Sequence, residues 1–428
     1  MTRIKRLAKE GSWIVLGQII TVFGSLVLVR VLTEYLNTAQ YGQLSLGLTV
    51  AGLVNQVVLG GISNGISRFY SIALEKEDLG GYLHATRQLL VYATTVVVTI
   101  SIILIAGLLW LGYANWIGLA AAALVFAVLS GYNSALSSIQ NAARQRAIVV
   151  FHAGLDAWLK IGLALVVVLW LGASSSSVVI GYAISSLLIT VSQLIFLRKT
   201  IPQQHVHSQQ FHKWMPQMWA YSLPFSTFGL FTWGQQVSDR WALQAYASPV
   251  DVGQYAVLFQ LGYTPIALVT GLLVSFLGPI LFQRAGAATD QARSANVHGL
   301  TWRITSVSLI VTIVGFVITY FMHEWLFSLL VATEYRSISY LLPWVLLAGG
   351  FFAAGQMLSL KLMSEMKSSA LTIVKISTAL IAIFLNVIGA AIAGIIGVVA
   401  ALVAFSVIFF VWMAVLSRKT LVTNTTTP

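Results

Sequence analysis

Asp156 and Lys160 place a carboxylate and an ammonium four positions apart inside an otherwise apolar run. That spacing puts both on one face of a helix, about 7 and 13 Å from the nearer end of the run by helical rise. A charge at such depth is costly and faces a partner, a bundle interior or a wet cavity. Two readings follow. Either the pair neutralises itself and fixes packing, or Lys160 meets an anion that Asp156 tunes or releases, with proton or sodium exchange as the accompanying ion traffic. Lys375, about 9 Å into its own run, poses a similar choice between snorkelling back to a polar boundary and meeting an anion. Arg30 and the neighbours Asp239 and Arg240 close two other runs, where snorkelling or local pairing competes with a ligand role. Arg68 ends a further run, as a boundary anchor or an anion ligand.

Neutral polar residues add a second layer. Asn55, Gln56, Gln260, Gln356 and Asn386 interrupt apolar stretches, as interhelical hydrogen-bonding groups or as planar amides suited to sugar hydroxyls. Trp158, Trp233 and Trp241 are the aromatic faces placed to stack on sugar rings. Other chemistries are poorly served. The chain has no cysteine, which removes disulfides, thiolate chemistry and cysteine metal sites. His205, His207 and His212 share one connection without nearby carboxylates or cysteines, which fits a solvated loop better than a metal site. No G-x-x-x-x-G-K-[ST] phosphate loop occurs, so nucleotide hydrolysis by that route is excluded. No cofactor is expected.

The elements that position these residues are membrane helices. Only 8% of the 428 residues are charged and 58% are hydrophobic, against about 25% charged in a soluble domain. A bilayer core roughly 30 Å thick takes about 20 helical residues. About twelve runs reach that length, starting near Ser12, Leu44, Leu89, Trp116, Phe151, Val178, Gln217, Val252, Leu300, Ser337, Ser369 and Ile395. Lysine and arginine crowd into alternate connections, from Arg3, Lys5, Arg6 and Lys9 to Arg418 and Lys419, whereas the opposite connections hold Arg336 beside several acidic residues. Both termini are therefore expected in the cytoplasm. The net charge of +12 is this topogenic bias; spread over seven loops, it makes no nucleic-acid footprint. The first apolar run, Ser12 to Leu32, exceeds a signal-peptide core and is expected to stay as a span. Trp13, Trp110, Trp116, Trp170, Trp214, Trp325 and Trp412 sit near span ends as interfacial anchors. Pro224, Pro265 and Pro343 fall within spans, where they kink helices. The longest connection, about Arg198 to Pro216, is too short for a folded extramembrane domain.

An internal repeat organises the spans. Arg30 closes one run and Tyr41-Gly42-Gln43 opens the next; about half a chain later Arg240 closes a run and Val252-Gly253-Gln254 opens another. Six spans are an even number, so the two halves share one orientation, as in transporters with the substrate path at the repeat interface. The expected divisions are residues 1–200 and 217–428, each a six-helix bundle, with 201–216 as a cytoplasmic linker. The related positions of Arg30 and of Asp239 with Arg240 suggest a two-sided outer gate.

The same stretches carry a family resemblance. Gln18, Arg30-Val-Leu-Thr33, Tyr41-Gly42 and Arg68-Phe69, then Pro224, Ser238-Asp239-Arg240 and Val252-Gly253-Gln254-Tyr255, resemble the Wzx-type polysaccharide flippases of the multidrug/oligosaccharidyl-lipid/polysaccharide (MOP) exporter superfamily. The resemblance spans the chain in helix count and loop length, with residue-level matches at these places. It implies two six-helix bundles in a V around a central cavity, in the inner membrane of a bacterium. It implies an undecaprenyl-diphosphate-linked oligosaccharide as cargo, for which Arg68 is a diphosphate ligand or else a topogenic anchor. It also implies membrane lipids, a polysaccharide polymerase and a chain-length regulator as partners. Lys160, Lys375, Arg30 and Arg240 outnumber Asp156 and Asp239 within the spans, which suits an anionic cargo. A drug or organic-cation antiporter of the same superfamily, expected to have a more acidic cavity, is the alternative; a non-transporting membrane scaffold or enzyme subunit is a third class. Peptidoglycan-precursor flippases usually have about two more helices than this chain.

Overall fold

The computed structural model describes residues 3–200, 211–285, 291–364 and 368–422. Among the described residues it is all-α, with no strand. The helices are α1 (Arg3–Tyr35), α2 (Thr38–Leu53), α3 (Gly60–Glu75), α4 (Leu79–Trp110), α5 (Ile117–Ala142), α6 (Arg146–Leu171) and α7 (Ser175–Thr200), then α8 (Phe211–Tyr246), α9 (Pro249–Gly262), α10 (Thr264–Ala285), α11 (Gln291–Leu330), α12 (Leu342–Ser364) and α13 (Ser368–Val422).

Nine helical segments among the described residues are long and apolar enough to cross a bilayer, or ten if α9 and α10 form one bent span. The α13 segment is two helices joined at Ala393 and Gly394, where Gly394 takes φ +53°, a conformation that glycine adopts without a Cβ clash. The α8 helix is less apolar than these segments, because Pro216, Pro224 and polar side chains interrupt it. Counting α9 with α10 once, α13 twice and α8 once accounts for the twelve passages that the sequence predicts. Large apolar side chains lie fully open on the outside, such as Ile103 at 66%, Trp110 at 87% and Phe321 at 80% exposed. Such a surface belongs in lipid. This is a multi-pass helical membrane protein.

Two compact units form: Met1–Gly24 with Gln43–Trp233, and Ser25–Gly42 with Gly234–Pro428. The divisions fall inside α1, α2 and α8; of the linker expected at 201–216, residues 201–210 lie outside the described residues.

In the first unit α5 packs on α7 and α3, and α6 on α7. The second span holds a π-helical turn, Val54–Leu59, between α2 and α3, and Asn55 and Gln56 fall within it. A polar seam joins α5 to α7: Asn133 Nδ2 donates to Ser186 O (3.1 Å), Thr190 Oγ1 to Asn133 Oδ1 (2.6 Å) and Gln193 Nε2 to Ser137 Oγ (3.0 Å). In hydrocarbon such bonds hold helices together where burial of apolar surface gives no drive.

In the second unit α12 packs against α11 and α13 around Leu358, Leu362, Val374, Phe405, Phe409 and Met413. The sequence repeat becomes structural here. Asn37 Oδ1 accepts from Gln40 N (2.9 Å) at the start of α2, and Ser248 Oγ accepts from Asp251 N (3.2 Å) at the start of α9. The repeat-related glycines meet: a Cβ on Gly42 would strike Pro249 O and Gly253 N, and one on Gly253 would strike Thr38 O and Gly42 N. Both positions need glycine because backbone lies against backbone. Tyr335 fastens the same corner, donating to Leu36 O (2.8 Å) and packing edge-on against Tyr41.

Candidate functional site

The helical register brings Asp156 and Lys160 together as the sequence predicts. Lys160 Nζ donates to Asp156 Oδ2 at 2.5 Å, Ser185 Oγ of α7 donates to Oδ1 at 3.0 Å, and the ammonium sits 5.4 Å from the Phe126 ring of α5. The pair thus ties three helices while each side chain keeps about a quarter of its surface open, 23% and 22%. Packing and ligand contact are compatible here.

Asp239 and Arg240 are enclosed. Asp239 Oδ2 accepts from Tyr255 Oη (2.7 Å), and Oδ1 accepts from Arg240 N (2.7 Å) and Arg240 Nη1 (3.4 Å). Arg240 Nη1 also donates to Gln236 O (2.9 Å), and its guanidinium lies 4.6 Å from the Phe259 ring. With 4% of the Asp239 side chain exposed, local pairing describes this site. Arg30 forms an exposed i,i+4 pair with Glu34 at 3.2 Å. Lys375 is half-buried about two turns into α13. Asp156 and Lys160 belong to the first unit, and Arg30, Asp239, Arg240 and Lys375 to the second.

Arg68 lies deeper than the sequence suggests. The α3 helix continues to Glu75, which places Arg68 about 10 Å from the helix end. It is exposed and joins no ion pair among the described residues. Asn55 Nδ2 donates to Ser130 Oγ (2.8 Å), while its Oδ1 is buried without a hydrogen-bond partner among the described residues. The Gln56 main-chain carbonyl lies where a Cβ on Gly229 of α8 would strike it. Gln260 accepts from Thr264 (3.2 Å) and Asn386 Nδ2 donates to Ser238 Oγ (2.9 Å), so these amides serve helix packing. Among the aromatics, Trp233 Nε1 donates to Thr49 O (2.8 Å), whereas Trp158 and Trp241 are partly exposed.

Three features escape sequence reasoning. Trp214 is no interfacial anchor: at 4% exposure, its Nε1 donates to Asp78 Oδ2 (2.6 Å), and Asp78 also caps α4 through Gly81 N (3.0 Å). Lys361 is a fully buried cation within α12, and its Nζ donates to Ser417 O at 2.6 Å. His152, in α6, is buried between Ile148 O (2.8 Å) and Ser192 Oγ (3.0 Å). Only the N-cap residue Asp78 followed by Gly81 carried a local signal. His205 and His207 lie outside the described residues.

Comparison with known proteins places this arrangement. Similar structures include an "inward-facing conformation of a multidrug resistance MATE family transporter of the MOP superfamily", at TM-score 0.70 and 14% identity over 96% of each chain. An outward-facing multidrug resistance MATE family transporter of the MOP superfamily is similar at 0.65 and 15% over the whole of both chains. A MOP superfamily transporter from Pyrococcus furiosus, described as having reverse polarity of its binding pocket, is similar at 0.59 and 16%, over 99% of this chain and 96% of that one. No curated protein matches the sequence. Residues 7–285 match the family described as "Polysaccharide biosynthesis protein". The fold is that of the MOP transporters, and the chain belongs to the polysaccharide biosynthesis protein family.

Proposed function

We propose that this protein moves an undecaprenyl-diphosphate-linked oligosaccharide, a repeat unit of O-antigen, capsule or exopolysaccharide, from the inner to the outer leaflet of a bacterial cell membrane. It does so by alternating access, with both termini in the cytoplasm and with proton or sodium exchange as the coupling. The family match carries the reading. A polytopic helical chain in a polysaccharide biosynthesis family, with no connection long enough for a catalytic domain, acts on a saccharide that is itself in the membrane. Charge supports it. Arg68 is exposed within a span, and the ammonium of Lys160 is partly open, so the accessible cations suit a diphosphate. A polysaccharide polymerase and a chain-length regulator then act downstream of the delivered repeat unit.

The test is surface polysaccharide display in cells carrying Lys160→Ala or Lys375→Ala at normal membrane abundance. Each variant is expected to reduce display, and Lys160→Arg to retain more of it than Lys160→Ala. Normal display by both alanine variants contradicts the assignment of these lysines to cargo.

A further inference from the structure

The α3 helix carries a pattern that the ion pairs do not use. Asn64, Ser67, Arg68 and Ser71 are all exposed, at spacings of three, one and three, which place them along one side of a helix. The opposite side holds Ile62, Ile66, Tyr70 and Ala73, all buried. Between the two sides α3 packs closely on α8, because Gly61 and Gly65 leave room for Ser222, Ser226 and Met218. Beyond that seam Phe69 packs edge-on against Tyr221, which is followed at 5.4 Å by Phe225; both Tyr221 and Phe225 are exposed.

Depth gives the stripe its meaning. By helical rise Asn64 lies about 16 Å from the Glu75 end of α3, roughly mid-membrane for a 30 Å core. An amide, two hydroxyls and a guanidinium exposed over this range cannot face lipid without a large penalty. On α4 the open residues are mostly apolar, among them Val91, Val96, Ile102 and Ile103, and the exposed hydroxyls of Thr95 and Thr99 donate back to Val91 O (3.1 Å) and Thr95 O (2.9 Å). The α3 face is therefore wet. Glu75 and Lys76 stand at its end, with Lys76 drawn over the Trp214 ring at 5.4 Å.

We propose that Asn64, Ser67 and Ser71 form a sugar-binding track on the first unit, continuous with Arg68. The proposal rests on the flippase reading and assigns the saccharide a contact surface. A hydroxyl donates and accepts, as a sugar hydroxyl does, and an amide offers both functions on one plane. Asn64 Nδ2 already donates to Gly60 O (3.1 Å), which leaves Oδ1 and the second N–H for ligand. Arg68 presents a bidentate fork to a phosphate oxygen pair. The diphosphate is held at Arg68 and the sugars extend along the hydroxyls.

The absence of cysteine makes the test clean. Asn64→Cys, Ser67→Cys and Ser71→Cys, with Ile103→Cys as lipid-face reference, are labelled with a water-soluble maleimide in native membranes. The reagent needs a thiolate, which forms in water and not in hydrocarbon. Labelling at all three track positions is expected at least about tenfold faster than at Ile103→Cys. Undecaprenyl diphosphate bearing one hexose should slow it, and undecaprenyl diphosphate without sugar should slow it less. Serine to cysteine is nearly isosteric at an exposed site, and labelling is normalised to folded, monodisperse protein. Labelling as slow as at Ile103→Cys overturns the track and leaves the flippase reading standing. Fast labelling without protection, or with equal protection by both lipids, also overturns the track. Protection by tetraphenylphosphonium and by neither lipid overturns the track and the flippase reading together.

Discussion

Two acidic–basic pairs, one in each unit, show how the same charges are used in different ways. Asp239 and Arg240 are sequence neighbours held inside a closed shell of Tyr255, Gln236 and Phe259. Asp156 and Lys160 are a helical turn apart, fastened by Ser185 and Phe126, and keep about a quarter of their surface open. A closed pair has its bonding filled by protein. An open pair has surface left for a ligand. Burial, more than charge, separates a packing device from a candidate site.

The largest effect is expected from Asp239→Ala. It leaves the Tyr255 hydroxyl without its acceptor and the mostly buried guanidinium with Gln236 O alone and no counter-charge, and breaking such a pair costs about 3–5 kcal/mol. Thermal unfolding in detergent should show the loss, with Asp239→Asn retaining an acceptor and losing less. Unchanged stability of Asp239→Ala would dissolve the contrast between the two pairs.

Next comes the glycine crossing, which sets the frame around the closed pair. Gly42→Val and Gly253→Val should each destabilise by about 1–3 kcal/mol through overpacking. Because both enlarge one contact, the double variant should lose less than the sum. Additive losses would mean that the glycines act independently.

The open pair is sharpened by a double-mutant cycle. Asp156→Asn and Lys160→Gln should each lower membrane abundance by less than Asp239→Ala does, since water still reaches the remaining partner. Combining them should restore abundance without restoring polysaccharide display. Restored display would assign the pair to packing alone. The smallest effect belongs to Arg30→Ala: the exposed Arg30–Glu34 pair is worth at most about 1 kcal/mol, and a larger loss of stability would place Arg30 with the closed group.

What the sequence reveals follows from the range of each interaction. The Asp156–Lys160 contact is legible because i,i+4 geometry is local, and the repeat is legible because glycines mark a backbone crossing. The apolar rhythm yields the helical passages, blurred at α8 by its prolines, at the bent α9–α10 pair and at α13 by the Gly394 kink. Ser185 and Phe126 at the open pair, Tyr255 at the closed one, and Asp78 with Trp214 depend on which helices become neighbours, and no local pattern encodes that. Lys361 looks like a loop cation in sequence because its acceptor, Ser417 O, lies on a different helix. The π-helical turn at Asn55 and Gln56 appears in sequence only as amides interrupting an apolar run.

Movement of the lipid-linked saccharide itself tests the central claim most directly. The purified protein is reconstituted in vesicles with a fluorescent polyprenyl-diphosphate disaccharide, and an impermeant reductant bleaches the outer leaflet. The account predicts a second bleaching phase, as inner-leaflet lipid crosses, in vesicles with wild-type protein; this phase should be strongly reduced with Lys160→Ala and absent from protein-free vesicles. Retention of the inner-leaflet signal by wild-type vesicles as fully as by protein-free ones, while the same preparation exchanges an organic cation for protons, would contradict it.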